Sequence, residues 1–567
     1  MKKKLIVIAV AIVAILIIAY FGVGRKVVDK YTYGTDKADL NEYYKLTGDE
    51  IAIIVQDERI GYTALVKNGE CYLPLKMIYD YIGDGFFYDA EFNGGTLMYT
   101  VADGTYECVV GASSYTYEGG AGDRSYALSI MNSGNLYIAV DYVKQFENFT
   151  YELNEKHVQV YTEWGSYTRM EITANTQIRV AGGIKSEILR DVGKGEFVEL
   201  LEEMENWSKV KTNDSYIGYI ENKKMKNMGV VNETEPIAPS LPAHKEFLAD
   251  GKVCLGYHSI GGVGGNDTIY EMMKEGRGMN VIAPTWFSLN DNEGGIRNFG
   301  TANYIGIAHD NGLQVWGVVD DFNYRNETGN SISVLTVLGS TESRKRLEKN
   351  IVDAAVSLGL DGINLDFELI TADSGPYFAQ FVKELSVLTH QRGIVLSIAD
   401  YVPAGREFYR FDVQGQFADY VIMMGYDEHW HGCGNPGSVA SFNHVTNGLD
   451  KILENVPARK VINALPFYTI VWKSDASGVS DSYLTLVNQA DYIARLGISY
   501  SWDETTCQNY AEWINGGVTY QVWFEDEESI SVKLNAMNAR GIGGVAAWRL
   551  GYGTSSVWNL LNLYVQN

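Results

Sequence analysis

Asp361-Gly-Ile-Asn-Leu-Asp-Phe-Glu368 is the most informative octapeptide of this 567-residue chain. Neighbouring side chains of a β-strand point to opposite faces, so Ile363, Leu365 and Phe367 would share one apolar face. The opposite face would carry three polar side chains, those of Asn364, Asp366 and Glu368. Successive residues on one face lie about 6.6 Å apart along a strand, and polar groups at that spacing differ from the branched apolar filling of a barrel. The pattern therefore predicts an inward face that carries chemistry.

The octapeptide is the fourth of eight short β-rich runs that alternate with longer amphipathic stretches over about 320 residues. This order favours an α/β fold of the (β/α)8 TIM barrel type. A doubly wound sheet is the alternative, but Asp267 stands where the third glycine of its phosphate-binding fingerprint belongs. The runs are 253–257, 281–287, 313–319, 362–368, 394–399, 420–426, 461–467 and 544–548.

Composition excludes several classes of protein. With 46% hydrophobic and 12% aromatic residues, the chain has enough apolar surface to fold and is not a disordered polymer. The 71 acidic and 46 basic residues give a net charge of -25, which argues against a nucleic-acid partner. Five separated cysteines form no CxxC pair, which excludes a disulfide-dense scaffold and a zinc ribbon. A Cys71–Cys108 bridge is conceivable, but buried free thiols are favoured.

Residues 5–23 predict a transmembrane anchor, because an uncharged run follows three lysines. Nineteen residues at the helical rise span about 28 Å, close to the hydrocarbon thickness of a bilayer. A cleavable signal peptide is the alternative, but its apolar region is shorter and ends in small residues, whereas Tyr20 and Phe21 end this run. We expect a single-pass protein of the cell membrane with most of the chain on the cell-wall side, although the flanking positive charges nearly balance.

Two smaller modules and a linker precede the barrel. Residues 46–163 carry short β runs and a weak repeat of a helical pattern followed by a hairpin, which predicts a small α+β domain. Residues 168–224 carry five short strands with glycine turns and predict a small closed β-barrel, because closure removes exposed edges. Residues 229–245 concentrate prolines and predict a semi-rigid linker. The catalytic candidate would then span residues 246–567.

The octapeptide closely resembles the DGxDxDxE signature of family 18 glycoside hydrolases. Met424-Gly-Tyr426-Asp427 resembles the MxYD motif on the sixth strand of that family, and Trp548 resembles its eighth-strand tryptophan. The segment of about 469–540 lies where family members often carry an insertion, between strands seven and eight. The whole layout resembles the bacterial cell-wall and spore-cortex branch of the family.

The two smaller modules also resemble known domains. Residues 46–163 resemble the stalk-type module named after the N-terminal domain of copper amine oxidases, although nothing in them resembles a copper site. Residues 168–224 resemble bacterial SH3-like domains, and that resemblance implies cell-wall peptides as a second class of partner.

The family resemblance implies a retaining mechanism assisted by the N-acetyl group of the substrate, with no cofactor. Glu368 would be the general acid and base, Asp366 would orient the acetamide, and Tyr426 would donate a hydrogen bond to it. Trp548 would stack on the sugar, and Asp427 would contact the same sugar. Asn364 stands where the family has aspartate; its amide could donate to Asp366 but could not relay a proton.

The remaining candidate substrate-binding residues come from the motifs and from aromatic side chains near strand ends. Asp361 and Met424 belong to the two motifs. Aromatic side chains at a barrel mouth suit the apolar faces of pyranose rings, although core packing is equally expected for any single one of them. These aromatic candidates are Tyr257, Trp286, Trp316, Tyr401, Trp430 and Trp472.

The leading interpretation is a hydrolase that cuts β-1,4 bonds after N-acetylglucosamine, in peptidoglycan. A chitinase is the enzymatic alternative, since the barrel motifs alone do not separate the two substrates. A non-catalytic glycan-binding protein and a cell-wall scaffold are the alternatives from other classes. His429-Trp-His-Gly-Cys433 offers metal-ligand side chains, but no fourth ligand is evident, and we expect no metal.

Overall fold

A computed structural model describes residues 2–118, 120–322 and 331–566. The chain forms two compact units. One unit consists mainly of residues before 242, and the other consists mainly of residues 87–107 together with those from 242 onward.

The second unit contains a closed ring of eight parallel strands, which confirms the predicted (β/α)8 barrel. The first strand pairs with both the second and the eighth, and the second pairs with the third, so the ring has no free edge. Apolar residues that face the surrounding helices form its continuous core. The strands are β1 (Val253–His258), β2 (Val281–Pro284), β3 (Gln314–Asp320), β4 (Gly362–Asp366), β5 (Val395–Tyr401), β6 (Tyr420–Met424), β7 (Val461–Pro466) and β8 (Gly544–Trp548).

Helices follow the strands around the ring. The longest, Thr341–Leu358, begins where the Ser340 hydroxyl accepts from the Ser343 N–H, and it ends at Gly359, whose φ of 80° suits glycine. The other helices of the barrel are Ile269–Glu275, Ala302–Asp310, Val334–Gly339, Gly375–His390, Phe411–Phe417, Phe442–Ile452, Glu527–Ala539 and Ser555–Gln566.

Two additions extend the barrel. A short antiparallel hairpin, Phe287–Leu289 with Ile296–Asn298, follows β2 and pairs along β3. The predicted second strand therefore divides after Pro284, because proline cannot continue a central ladder. The insertion between β7 and β8 carries helix Leu486–Leu496 and a separate sheet. Its strands are Tyr468–Asp475, Gly478–Thr485, Ser501–Asp503, Gln508–Asn515 and Val518–Phe524.

The first unit contains two seven-stranded sheets. One holds strands Glu50–Val55, Glu58–Lys67, Glu70–Pro74, Ser129–Asn132, Asn135–Ala139, Thr150–Leu153 and His157–Tyr161. The other holds Ser166–Ile172, Thr176–Arg179, Ile188–Val192, Phe197–Glu202, Trp207–Thr212, Ile217–Glu221 and Met225–Asn232. Five of the strands of the second sheet lie within 168–224, the number predicted for that segment, although the first two begin earlier than expected. Short helices Leu40–Tyr44, Leu75–Tyr81 and Val140–Val143 complete the unit. The five cysteines, all in the described part of the chain, are free thiols.

The N-terminal segment is helical but not straight. Helix Lys2–Ala19 continues through one π-helical turn, Tyr20–Gly24, into Arg25–Tyr31. Within the described residues no single helix has both the length and the apolar character needed to cross a membrane. The bent pair Ile8–Gly22 and Arg25–Tyr31 meets that requirement by length and composition, with a bend of 44°. The transmembrane anchor expected over 5–23 stays a prediction.

Residues 87–107 pack on the outer helices of the barrel, although sequence analysis assigns them to the module 46–163. Asp89 Oδ2 accepts from the Thr341 N–H at 3.2 Å, and Gln380 Nε2 donates to Thr100 Oγ1 at 3.0 Å. The Arg344 guanidinium lies 4.8 Å from the Phe87 ring centroid. These contacts tie the segment to helices Thr341–Leu358 and Gly375–His390.

Arg344 is the centre of a buried polar network beneath this segment. Its guanidinium is fully buried, donates to Glu384 Oε2 at 2.6 Å and also donates to the Leu338 carbonyl at 2.9 Å. Burial would raise the pKa of Glu384, but the charge and hydrogen bond of Arg344, together with hydrogen bonds from Glu348 and Gln380, hold that pKa below its ordinary value. Arg344 is therefore the main group that keeps Glu384 charged.

Replacement of Arg344 tests this dependence. Arg344→Met should lower the free energy of unfolding of the barrel by about 3–5 kcal/mol, because it leaves a buried carboxylate without its partner. Urea denaturation followed by tryptophan fluorescence measures the change. Arg346→Met, on the exposed side of the same helix, is the matched control and should change stability by less than about 0.5 kcal/mol. Equal effects of the two substitutions would contradict the role of the network.

Candidate active site

A cavity of about 540 Å³ opens at the C-terminal ends of the barrel strands. Because all eight strands are parallel, the residues that end or follow them meet at this one mouth. Four carboxyl side chains and several aromatic rings line the cavity. Among its lining residues are Tyr257, Asp320, Asp366, Glu368, Tyr401, Met424, Tyr426, Asp427 and Trp548.

Glu368 lies just past the end of β4 and is held there by its own backbone. Its N–H donates to Asp321 Oδ1 at 2.9 Å, and the Leu369 N–H donates to Asp321 Oδ2 at 3.0 Å. The Tyr401 hydroxyl, from the end of β5, donates to Glu368 Oε2. These contacts orient the Glu368 side chain toward the cavity, where its Oε2 already accepts the hydrogen bond from Tyr401.

Burial raises the pKa of Glu368 above its ordinary value, and the negative charge of Asp427 adds to this shift. The Tyr401 hydrogen bond opposes it, because donation to a carboxylate stabilises the charged form. A carboxyl with a raised pKa keeps its proton closer to neutral pH. Glu368 is therefore suited to donate a proton to a bound molecule.

Asp366 is the last residue of β4 and is more deeply buried than Glu368. It is 6% exposed, and its Oδ1 makes no hydrogen bond within the described part of the chain. Burial raises its pKa well above the ordinary value, and the charges of Glu368 and Asp320 act in the same direction. The unpaired oxygen can accept a hydrogen bond from a ligand.

Asn364 does not donate to Asp366, contrary to the expectation from sequence. Its Nδ2 donates to Ser397 Oγ at 3.0 Å, and its Oδ1 accepts from the Tyr257 hydroxyl at 3.2 Å. Register explains the difference, because Ser397 of β5 lies directly beside Asn364, one inward layer below Asp366. Asn364 is fully buried and positions Tyr257 rather than lining the cavity.

The sixth- and eighth-strand motifs reach the cavity. Met424, Tyr426 and Asp427 follow one another at the end of β6, and all three line it. Asp427 Oδ1 accepts from the Tyr468 hydroxyl at 2.5 Å, which fixes its carboxylate against the insertion. Trp548 meets Tyr257 edge to face, with ring centroids 5.5 Å apart. The structure therefore brings together Glu368, Asp366 and these motif residues.

Two predicted site residues lie elsewhere. Asp361 is at the opposite end of β4, where its Oδ2 accepts from the Val315 N–H at 2.8 Å and lies 2.8 Å from His309 Nε2. Trp286 is fully buried, and its Nε1 donates to Asn266 Oδ1 at 2.8 Å. Neither residue is among those that line the cavity.

The other aromatic candidates divide in the same way. Trp316 and Trp472 are core residues, Trp430 is 55% exposed outside the cavity lining, and Tyr401 lines the cavity.

His429 Nδ1 donates to the Asn435 carbonyl at 2.8 Å, and His431 pairs with Asp481. In the parts of the chain that the structure describes, no group of three or more potential ligands could hold a metal ion.

Sequence reasoning missed Asp320, Asp321 and the hydroxyl of Tyr468. Two consecutive carboxylates directly after the predicted third strand were an available signal, because residues at that point of a barrel face the mouth. Asp320 lines the cavity, and burial raises the pKa of Asp321 to about 7. The hydroxyl of Tyr468 carried no such signal, since its reach to Asp427 depends on how the insertion folds.

Known protein families match two separate parts of the chain. The model of the "Glycosyl hydrolases family 18" matches residues 289–553, and that of the "Bacterial SH3 domain" matches residues 174–225. The "Putative sporulation-specific glycosylase YdhD" of Bacillus subtilis is 29% identical over 40% of this chain and 56% of its own length. The "Uncharacterized glycosylase YvbX" of the same species is 24% identical over 50% of this chain and 84% of its own length. The "Cortical fragment-lytic enzyme" of Bacillus anthracis is 26% identical over 41% of this chain and 57% of its own length.

The match to the first and third of these relatives spans little more than half of their own length. The family match begins within the hairpin after β2 and ends just beyond β8; it includes the Glu368 signature and those cavity residues that follow residue 289. The chain therefore carries a domain of the glycosyl hydrolase family 18, preceded by a bacterial SH3 domain.

Proposed function

We propose that the barrel hydrolyses β-1,4 glycosidic bonds after N-acetylglucosamine, with peptidoglycan as the substrate. One observation carries this proposal: Glu368, with a raised pKa, lies in the same cavity as Asp366, whose Oδ1 lacks a hydrogen-bond partner among the described residues. Tyr426 and Trp548 complete a cavity that offers both polar groups and aromatic faces, as a sugar requires.

Glu368 would donate its proton to the glycosidic oxygen as the bond to the leaving sugar breaks. The acetamide oxygen of the substrate would attack the anomeric carbon from the other side and form an oxazolinium ion. Asp366 would accept the acetamide N–H at its unpaired oxygen and stabilise the positive charge. Water would then open the ion, returning a proton to Glu368 and retaining the configuration.

The choice of peptidoglycan over chitin rests on analogy. Two relatives are named for sporulation and for cortical fragments, and the bacterial SH3 domain suits attachment to wall peptides. Chitin hydrolysis is the second candidate, because the cavity residues serve N-acetylglucosamine in either polymer. A glycan-binding protein without activity is disfavoured by the presence of Glu368 in the cavity.

The catalytic proposal is tested by incubating the full chain with purified peptidoglycan and with chitin oligomers. We expect products from peptidoglycan that end in N-acetylglucosamine, identified by mass spectrometry. Glu368→Gln should lower turnover by about 10²–10⁴-fold, because an amide cannot donate the proton. Glu342→Gln, on an exposed turn of helix Thr341–Leu358, is the matched control and should retain the rate. A wild-type rate in Glu368→Gln would end the assignment, and products from chitin alone would favour the chitinase.

The Tyr401 hydroxyl should set the upper pH limit of activity. Its hydrogen bond stabilises the charged form of Glu368, so Tyr401→Phe should raise the pKa of the acid further. Since activity requires the protonated acid, the alkaline limb of the kcat/KM profile should move to higher pH. Tyr270→Phe, at an exposed position, serves as the control. An unchanged limb, or a shift to lower pH, would contradict this.

We also propose that the N-terminal segment anchors the chain in the cell membrane and that the remainder lies on the wall side. The bent helix pair supports this by length and composition. Ile12→Arg should reduce recovery in the membrane fraction, because a charge at the centre of a span costs about 2.5–3.5 kcal/mol, whereas Ile12→Ala should not. Protease added to intact cells should digest the chain beyond residue 31. Protection of that part would contradict the orientation.

A further inference from the structure

Arg406 belongs to the loop that follows β5, and hydrogen bonds tie that loop to the end of β4. The Arg406 N–H donates to the Pro403 carbonyl at 3.1 Å, and the Arg406 carbonyl accepts from the Tyr409 N–H at 3.0 Å. The hydroxyl of Tyr409, a buried residue, donates to the Phe367 carbonyl at 2.9 Å. Phe367 immediately precedes Glu368, so this chain of hydrogen bonds connects the backbone of Arg406 to that of the acid.

The Arg406 side chain lies over the ring of Tyr401. Its guanidinium carbon is 4.0 Å from the ring centroid, a distance at which a cation and an aromatic face attract one another. Arginine suits this contact because its guanidinium is planar and weakly hydrated. Tyr401 lines the cavity, and its hydroxyl donates to Glu368 Oε2. The contact therefore restrains the ring whose hydroxyl holds the acid.

The charge of Arg406 acts on both partners of that hydrogen bond. Burial raises the pKa of Glu368, and Arg406 opposes this rise because a positive charge favours the carboxylate. Burial also raises the pKa of Tyr401, and Arg406 opposes that rise too. Both effects favour a charged Glu368 that accepts a hydrogen bond from Tyr401.

Most of the other titratable groups that face Glu368 are acidic. A negative charge on any of them would raise the pKa of Glu368, whereas a cation would lower it. Arg297 is a second cation and lines the same cavity. The acidic groups come from β1, β4, the ends of β3 and β6 and the insertion, and they are Tyr257, Asp320, Asp321, Asp366, Asp427 and Tyr468.

We propose that Arg406 is a positioning residue for the acid, which holds Tyr401 against Glu368 and stabilises the carboxylate form. This inference deepens the proposed hydrolysis and rests on it. In that reaction Glu368 gives up its proton in the first step and, as a carboxylate, takes one from water in the second. A carboxyl whose pKa burial had raised too far would serve the first step but not the second. Arg406 and Tyr401 together limit the rise.

The experiment compares the full chain with its Arg406→Met and Arg406→Lys variants. Arg406→Met removes the charge, so the alkaline limb of the kcat/KM profile should move to higher pH by about 0.5–1 pH unit, a modest shift because Arg406 is partly exposed to water. Arg406→Lys keeps the charge without the planar stack and should move the limb by a smaller amount.

Arg410→Met is the matched control. Arg410 lies in the same loop, but its charge is paired with Asp412, whose Oδ1 accepts from Arg410 Nε at 2.8 Å. The loss of this cation should leave the alkaline limb within about 0.2 pH unit of its wild-type position. A shift equal to that of Arg406→Met would overturn the role of Arg406.

The same substitution in a Tyr401→Phe chain tests whether Arg406 acts through Tyr401. We expect a smaller shift there than in the wild-type chain, because the ring under Arg406 no longer donates to Glu368. Equal shifts in the two backgrounds would assign the effect to charge alone and overturn the positioning role. An unchanged limb in both, or a shift to lower pH, would overturn it as well.

A direct titration separates this inference from the proposed function. NMR of the chain labelled with 13C at the glutamate side-chain carboxyl carbons follows the ionisation of Glu368, whose signal is identified by its loss in Glu368→Gln. Arg406→Met should raise the pKa measured in this way by the same amount as the limb. If the wild-type chain cleaves no glycan, the proposed function fails, yet the titration still decides the role of Arg406, because an unchanged pKa overturns it.

Discussion

One carboxylate, that of Asp321, fixes the end of β4 by accepting both the Glu368 and the Leu369 N–H groups. These two backbone groups lie beyond the strand, where no ladder partner could take them, and an unpaired buried N–H is costly. Because Asp321 satisfies both, the chain leaves β4 in one direction, and the Glu368 side chain enters the cavity rather than the helical layer. The position of the acid thus depends on a neighbouring strand as much as on its own.

The same neighbourhood concentrates more carboxyl groups than could all be charged at once. Burial raises the pKa of Asp321 to about 7 and that of Asp400 to about 8, and it raises that of Asp366 well above the ordinary value. Each additional charge would repel the others at short range in a poorly solvated site. Part of this cluster therefore holds protons near neutral pH, which suits a site that must donate one.

The sequence was sufficient for those features that depend on local periodicity. The alternation in 361–368 predicted the inward face correctly, and the eight runs predicted the eight strands of the ring. The motif residues Tyr426, Asp427 and Trp548 lie at strand ends in the same order, so the ring alone brings them to the mouth. The barrel and the centre of its site could be predicted because parallel closure turns order along the chain into proximity.

Features that depend on register and tertiary packing could not be predicted in this way. Asn364 lies beside Ser397 only because of the pairing of β4 with β5, and sequence spacing says nothing about that pairing. Asp361 shares the octapeptide with Glu368, yet the length of the strand places it at the opposite end of the barrel. Residues 87–107 join the barrel through Asp89 and Thr100, whose partners are more than two hundred residues away.

The hairpin after β2 is the clearest case in which such packing changes the chemistry of the cavity. Without it, the described lining would contain four carboxyl groups and no cation. Such a lining would repel an anionic substrate to the extent that its acids are ionised. The raised pKa values of Asp366 and Glu368 reduce that repulsion, and Arg297 of the hairpin adds one positive charge to the lining. The hairpin therefore makes the described lining less negative than its four carboxyl groups alone would make it.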